Sequence, residues 1–286
     1  MRYLIIGGTG TLGKTLTKKL SVDPHNEIVC YSRDELKQQE MKKLFPNVRY
    51  IIGDIRDKPA LVAAMFGVDT VFHVAALKHV DVVEHNPTEA VKTNVFGTVN
   101  VAEAAMECMV SHVVFSSTDK AVLPINIYGM TKAISERYLL GLNEGQQNTK
   151  FSVYRWGNVV GSRGSVVHSF ADCIKENKVV PITHQEMTRF WINIEDATDF
   201  MLKTYVHASC NDVMIPEMKA SSVLELAKAV HSVIDAKNGF ETAEIGIRPG
   251  EKIHECLYSS HDHCLRSDTA DRYSMDELIS LVKKAI

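Results

Sequence analysis

Residues 7–13 read GGTGTLG, which places Gly7, Gly10 and Gly13 three apart, between the apolar run RYLII at 2–6 and a helix-like stretch near 11–21. A buried strand that turns at once into a helix, with its backbone bare at three positions, leaves few folds open. Glycine lets the chain turn tightly, lets a pyrophosphate approach the backbone, and lets the helix pack closely on the strand. The first helical N–H groups then offer a partial positive charge to phosphate. Gly7, Thr9, Gly10, Thr11, Leu12 and Gly13 are therefore the candidate dinucleotide loop. A glycine-rich turn without a ligand would share the spacing, and it is the surrounding βαβ pattern that favours the dinucleotide.

That pattern continues along the chain. Candidate strands at 27–31, 48–52, 69–74, 112–116 and 151–156 alternate with helix-like stretches near 34–44, 58–66, 87–109 and 127–143. Near-continuous apolar strands between helices predict an α/β fold, a doubly wound parallel sheet of the Rossmann kind, with ligands beyond the carboxyl ends of its strands. After about residue 157 the rhythm changes to helices at 165–177, 195–208 and 221–236 and extended pieces near 179–182, 190–193 and 212–215. We read residues 1–157 as the cofactor domain and 158–286 as a smaller substrate lobe, with room for the chain to recross, and expect the cleft between them.

Composition narrows the partners. Of 286 residues, 45% are hydrophobic and 23% charged, enough apolar surface to exclude wholesale disorder. A net charge of −3 speaks against a nucleic-acid binder, which would show a basic excess. No apolar run reaches the ~18 residues of a membrane span, and the N-terminus lacks a secretory pattern, so a cytoplasmic protein without membrane contact is expected. The six cysteines form no C-x-x-C pair and read as thiols. The segment from His254 and Cys256 to His261, His263 and Cys264 resembles a metal cluster by composition, but its spacing matches no common zinc pattern, so no metal is assigned.

The second strand ends Tyr31-Ser32-Arg33-Asp34. Ser32 and Arg33 suit a 2′-phosphate, which predicts NADP rather than NAD. Asp34 argues the other way unless it caps the next helix. Asp54, next to Ile55 after the third strand, can accept a hydrogen bond from the adenine amino group or serve as a turn aspartate.

Tyr128 and Lys132 lie i, i+4 on a predicted helix and so share a face, whether as a surface pair or as chemistry. An ammonium beside a phenol lowers its pKa, which would make Tyr128 a base for a hydroxyl proton as hydride leaves the same carbon. Ser116-Ser117-Thr118 ends the fifth strand on the ligand edge, and Thr118 can hydrogen-bond the reacting oxygen. Asp119 and Lys120 follow at once. A simple alcohol oxidation needs neither, so they suggest two further proton transfers, unless they are only a charged loop.

The stretches YSRDELKQQEM (31–41), AALKHVDVVEHNPTEAVKTNVFGT (75–98), SSTDKAVLPINIYGMTK (116–132), GNVVGSRGSV (157–166), MTRFWI (187–192) and IRPGEKIHE (247–255) occur in this order. Together they closely resemble the inverting UDP-N-acetylglucosamine 4,6-dehydratases, extended short-chain dehydrogenase/reductases of polysaccharide and flagellin-sugar biosynthesis. The T-D-K triplet with Tyr128 eight residues later separates this group from retaining dehydratases, which carry T-D-E. The resemblance implies that Tyr128, helped by Lys132 and Thr118, takes the 4-hydroxyl proton of a UDP-amino sugar while NADP takes the carbon-4 hydride. Lys120, as a neutral amine, would remove the carbon-5 proton, and Asp119, if protonated, would expel the 6-hydroxyl as water. The hydride would return to carbon-6.

Other positions carry over by motif. Ala75 and Ala76 would let the cofactor pass, Lys78 lies between cofactor and substrate, and Asn94 supports the active-site loop beside the cofactor. Asn158, Arg163, Arg189, Arg248 and Glu251 fall on the nucleotide-sugar side, where arginine suits a diphosphate, although each arginine could equally be a surface ion pair. Leu123 stands where the family commonly has Asn, Trp156 replaces a Tyr or Phe, and the C-terminus is short. The family implies a homo-oligomer. The competing readings are a UDP-sugar 4-epimerase, which needs no Asp119 or Lys120, and a non-catalytic NADP-sensing regulator, which would usually lose Tyr128 or Lys132.

Overall fold

The computed structural model describes all residues except 146–147, 163, 209–212, 235–238 and 260–263. Its first six strands are β1 (Arg2–Ile6), β2 (Glu27–Ser32), β3 (Arg49–Ile52), β4 (Thr70–His73), β5 (His112–Ser116) and β6 (Lys150–Tyr154). Between them run α1 (Thr11–Leu20), α2 (Glu35–Leu44), α3 (Lys58–Met65), α4 (Val80–His85), α5 (Pro87–Ala90), α6 (Gly97–Glu107) and α7 (Ile127–Gly145). The second part holds β7 (Asn158–Val160), α8 (Val166–Lys175), β8 (Val180–Ile182), β9 (Thr188–Asn193), α9 (Ile194–Thr204), β10 (Val213–Met214), β11 (Ala220–Ser222), α10 (Val223–Ile234), β12 (Thr242–Glu244), β13 (Cys256–Ser259), β14 (Cys264–Arg266) and α11 (Met275–Lys283).

The central sheet has seven strands in the order β10-β6-β5-β4-β1-β2-β3, all parallel. Strand order therefore reverses at β1, and the crevice beyond its carboxyl end is where such sheets take their ligand. The continuous apolar runs are explained by burial on both faces. Tyr3 and Ile5 pack with Leu16, Phe72 and Val114 on one side, while Leu4 and Ile6 pack with Val71, Val101 and Phe115 on the other.

The chain recrosses after residue 157. β10 returns to the edge of the central sheet beside β6, and α9 lays Ala197 and Met201 into the same core as Leu16 and Leu20 of α1. The residues that remain apart are those around β7, β9 and β11, with α8, α10 and α11 enclosing Phe170, Trp191, Leu226 and Leu281. The span 158–286 is therefore not contiguous in space. The expected helix over 87–109 is interrupted by a π-helical segment at Val91–Phe96. Helix α11 was not expected, although Ser274 and Glu277 form a capping box before its apolar run, a signal legible in the sequence. Among the described residues no helix is long and apolar enough to cross a membrane.

The first turn shows why glycine is required. Gly7 has φ +85°, and a Cβ there would lie 2.7 Å from the Ala75 amide nitrogen. A Cβ on Gly13 would meet the Gly7 carbonyl and Gly8 Cα, both at 2.6 Å. These neighbours are backbone and cannot give way. Gly13→Ala should therefore destabilise the fold by about 1–3 kcal/mol through overpacking. Thermal denaturation should show a lowered midpoint, with dinucleotide affinity lost in parallel.

Candidate active site

The dinucleotide cradle fits its ligand. The Gly7 N–H donates to the Tyr31 carbonyl at 2.8 Å and Gly10 N–H to the Gly7 carbonyl at 2.9 Å, closing the turn. Gly10 is the N-cap of α1 with no capping side chain, and a Cβ on it would meet only the Gly7 carbonyl, at 3.2 Å. The loop from Gly7 to Gly13, with Thr9, Thr11 and Leu12, thus leads into the N-terminus of α1 without a capping side chain, and Ala75 closes against Gly7. Ala76 follows on the same half-buried segment.

At the end of β2 the carboxylate of Asp34 caps α2, accepting from the Lys37 amide at 3.0 Å, and pairs with the Lys37 ammonium. Ser32 is buried and its hydroxyl accepts from Gln38 at 2.9 Å. Arg33 is half exposed, 3.5 Å from Asp54. Partial burial raises the Asp54 carboxyl, but hydrogen bonds from Arg56, at 2.7 and 3.1 Å, together with Arg33 hold it below the usual range. Ile55 packs its side chain on Gly97 of α6. Asn94, in the π-helical segment, accepts from the Leu77 amide at 2.8 Å and donates to the Leu77 carbonyl and Thr131, so its amide supports the loop. π-Helical turns often mark functional positions.

The catalytic candidates converge beyond β5. The Asp119 amide donates to the Trp156 carbonyl at 2.9 Å, which extends the strand alignment past β6 and fixes the turn 119–121. Asp119 has no exposed surface; its Oδ1 accepts from Thr118 Oγ1 at 3.0 Å and Lys120 Nζ at 2.9 Å. Its Oδ2 is buried and has no hydrogen-bond partner among the described residues. Lys120 also donates to Asn158 Oδ1 at 3.2 Å and lies 3.5 Å from Glu255 Oε1. Glu255, 2% exposed, is absent from the sequence-based candidates, although it closes the motif that supplied Arg248 and Glu251.

The charges decide the protonation states. Burial, opposed by the Lys120 ammonium and supported by the Glu255 charge, raises the Asp119 carboxyl above its usual range. Burial alone would lower Lys120, but Asp119 and Glu255 together raise it. Burial would raise Glu255, but Lys120, Arg189 and Lys252 bring it below the ordinary value. The directions favour the proton on Asp119 and the charged forms of Lys120 and Glu255, and they are linked, since an ionised Asp119 is itself one cause that raises Lys120. A second carboxylate, Glu255, thus shares the ammonium of the expected Asp119–Lys120 pair.

Tyr128, at the start of α7, is 8% exposed; burial pushes its phenol up to about 12 against the pull of Lys120 and a hydrogen bond from Thr118. Lys132, one turn on, donates to the Ser116 carbonyl at 2.5 Å and lies 3.9 Å above the Phe115 ring, with burial pushing its pKa down to about 7. Lys120 is the ammonium that offsets this rise at Tyr128. One turn further, Glu136 accepts from Ser117 and from Arg155 Nε at 3.1 Å, while Arg155 Nη1 donates to the Leu257 carbonyl at 2.8 Å. The spacing 128, 132, 136 signals this third member of one helix face.

The remaining sugar-side candidates divide. Lys78 is exposed at the cleft, its pKa lowered by desolvation and by Lys120. Asn126 donates to the Gly250 carbonyl at 2.7 Å, which draws the turn bearing Arg248 and Glu251 to the start of α7. Arg248 is exposed, whereas Glu251 has a buried Oε2. Arg189 is 6% exposed and donates to the carbonyls of Thr188, Ile253 and Lys252 at 2.7, 2.9 and 2.8 Å. A buried guanidinium needs acceptors, and backbone supplies them here, so Arg189 holds the segment before Glu255. Arg163, His261 and His263 lie outside the described residues.

Residues 3–277 match the family model described as polysaccharide biosynthesis protein. The chain is 45% identical over 287 residues to the UDP-N-acetylglucosamine 4,6-dehydratase (inverting) of Campylobacter jejuni serotype O:2, covering 98% of this chain and 84% of that protein. It is 40% identical to the UDP-glucose 4-epimerase of Rickettsia conorii, covering 94% and 81%. The X-ray structure of Pen from Bacillus thuringiensis superposes with a TM-score of 0.92 at 35% identity, covering 98% of this chain and 96% of that one.

Leu123, on the loop after Lys120, takes φ +44° and is 62% exposed. Asn adopts this left-handed conformation more readily than Leu does. Leu123→Asn should therefore stabilise the fold by about 1 kcal/mol. A raised thermal midpoint with the same number of bound cofactor molecules checks this.

Proposed function

Because the chain belongs to the polysaccharide biosynthesis protein family, we propose that it is a nucleotide-sugar 4,6-dehydratase of the inverting kind, acting on UDP-N-acetylglucosamine. The observation that carries this reading is the buried set of Asp119, Lys120 and Glu255 beside Thr118 and Tyr128. An epimerase needs to move one hydroxyl proton and one hydride. Two buried carboxyls sharing the partly buried Lys120 ammonium next to those residues fit a reaction with further proton transfers.

A bound oxidised nicotinamide dinucleotide would supply a hydride acceptor that gives the hydride back. The glycine loop and α1 would hold its pyrophosphate. We favour NADP. Asp34 is turned onto α2, which leaves Arg33 and Ser32 at the ribose end of β2. Thr118 and Tyr128 hold the sugar 4-oxygen, and Tyr128 takes its proton under the field of Lys120 and of Lys132 one helical turn away. The resulting 4-ketone acidifies carbon-5. Lys120 becomes a base for the carbon-5 proton once its own proton passes to a neighbouring carboxylate, and Glu255 stands 3.5 Å away as the acceptor. Asp119, protonated, gives its proton to the 6-oxygen, which leaves as water. Hydride returns to carbon-6 and a proton to carbon-5, so the net change is loss of one water.

The UDP-glucose 4-epimerase relatives make epimerisation the competing outcome. The purified protein with UDP-N-acetylglucosamine should release a product lighter by one water, with solvent deuterium at carbon-5 in heavy water. A product of unchanged mass would establish the epimerase instead. Asp119→Asn and Lys120→Ala should each lower kcat by about 10²–10⁴-fold while dinucleotide binding persists.

The pH dependence has a defined sign. Asp119 acts while protonated, so turnover is present below its raised pKa and falls as pH rises through it. Glu255 is one cause of that rise. Glu255→Gln should therefore move the alkaline limb of the kcat profile to lower pH. A limb that stays in place would show that Glu255 does not set the Asp119 proton.

A further inference from the structure

Two of the six cysteines meet outside the proton-transfer cluster. Cys256 opens β13 and is buried, while Cys264 opens β14 and is exposed. The strands pair antiparallel, with Cys256 opposite Arg266 and Ser259 opposite Cys264, and an irregular register between Cys256 and Tyr258. The diagonal pair ends with its sulfurs 2.6 Å apart, inside the van der Waals contact of two sulfur atoms. Burial and the hydrogen bond to Cys264 push the Cys256 thiol up to about 12. A surface cleft lined by Leu123, Lys252, His254, Cys256, Cys264 and Arg266 gives small molecules access to the pair.

The position of this pair gives it a reach beyond the hairpin. Cys256 directly follows Glu255, and β13 packs against the turn that carries Asp119 and Lys120. Lys252, on the same cleft, donates to the Val122 carbonyl at 2.7 Å. Any restraint on β13 is therefore transmitted to the groups that hold the Lys120 ammonium.

We propose that Cys256 and Cys264 are a reversible dithiol–disulfide site that reacts with low-molecular-weight disulfides, and that its oxidation restrains the strand following Glu255. The thiolate of exposed Cys264 attacks one sulfur of the reagent and releases one thiol. Cys256, after losing its proton to solvent, attacks the Cys264 sulfur of the mixed disulfide and releases the second thiol. Two protein thiols are oxidised, one reagent disulfide is reduced, and the protein loses two hydrogens. A disulfide closing so short a loop forms without distant chain movement, and its formation depends on access and thiolate character at Cys264.

The test uses the full chain, reduced and then treated with oxidised glutathione, beside Cys264→Ser. The wild type should lose two of its six thiols, with a cross-linked peptide joining 256 to 264 and full reversal by dithiothreitol. Amide exchange across Glu255–Leu257 should slow on oxidation. Cys264→Ser should keep the reduced turnover and show neither change. A stable glutathione adduct on Cys264 with Cys256 still free, or a cross-link to a different cysteine, would overturn the site. Unchanged exchange in the cross-linked protein would overturn the restraint.

One further arm rests on the dehydratase reading. Dehydration by the oxidised form should slow about threefold or more, the scale of coupling through packed side chains. Equal turnover of the two forms would overturn the link to the acid cluster. No turnover by either form, with the cross-link mapped, would count against the dehydratase reading and leave the dithiol standing.

Discussion

The ammonium of Lys120 held between two buried carboxylates is the interaction on which the rest of the site depends. Asp119 Oδ1 is 2.9 Å from it and Glu255 Oε1 is 3.5 Å. Two unscreened negative charges on one positive charge are costly where water is excluded, so one carboxyl retains its proton. Each carboxyl has one buried oxygen with no hydrogen bond among the described residues, and the geometry favours the proton on Asp119 because Glu255 has a second cation, Lys252, 3.6 Å from its Oε2. A carboxylic acid kept neutral in this way can donate a hydrogen bond to a leaving oxygen. The same selection keeps Lys120 charged, and a charged Lys120 offsets the burial that raises Tyr128. One cation thus ties the alcohol chemistry on α7 to the acid chemistry beyond β5.

Holding that arrangement requires segments far apart in sequence to meet with little slack. Arg155 bridges them by binding Glu136 of α7 with two nitrogens and the Leu257 carbonyl with a third. Arg189 ties β9 to Lys252 and Ile253. Asn94 and Asn126 do the same for the loops around Leu77 and Gly250. Each clamp spends a buried polar side chain on backbone groups that would otherwise be unsatisfied, which is the condition under which burial of such groups is tolerated. Truncating a clamp should therefore disturb the placement of Asp119, Lys120 and Glu255.

The cofactor half was largely legible in the sequence because its signals are local. The spacing of Gly7, Gly10 and Gly13, the apolar strands and the i, i+4 pair Tyr128–Lys132 each lie within one or two elements, and steric and periodic rules act at that range. Asp34 also behaved as local rules allow, capping α2. What sequence reasoning missed depends on contacts across the chain. Glu255 meets Lys120 over 135 positions of separation, a pairing no spacing rule reveals. Arg189 carries the residue type of a phosphate ligand, but its burial among carbonyls is a tertiary fact. The extended piece at 212–215 and room for the chain to recross were legible, but that this piece, β10, joins the central sheet beside β6 is again a long-range fact. Leu123 is the reverse case: its departure from the family's Asn acquires a physical meaning only once its backbone angle is known.

The division between local and long-range signals bears on which reaction the fold performs. Tyr128, Lys132 and the glycine loop suit any chemistry that lends a hydride to a dinucleotide and takes it back, and all of them lie before residue 157. Glu255 and Lys252 reach Lys120 and Val122 from far along the chain. Burying a carboxylate and an ammonium away from solvent is unfavourable unless each finds a partner, and both find theirs on the turn after β5: Glu255 on Lys120, and Lys252 on the Val122 carbonyl. An enzyme that only inverted carbon-4 would gain nothing from this burial. A dehydratase would have a use for an acid, a base and a proton acceptor held together, and the segment joining Arg248 to Cys256 is what brings Glu255 to that group.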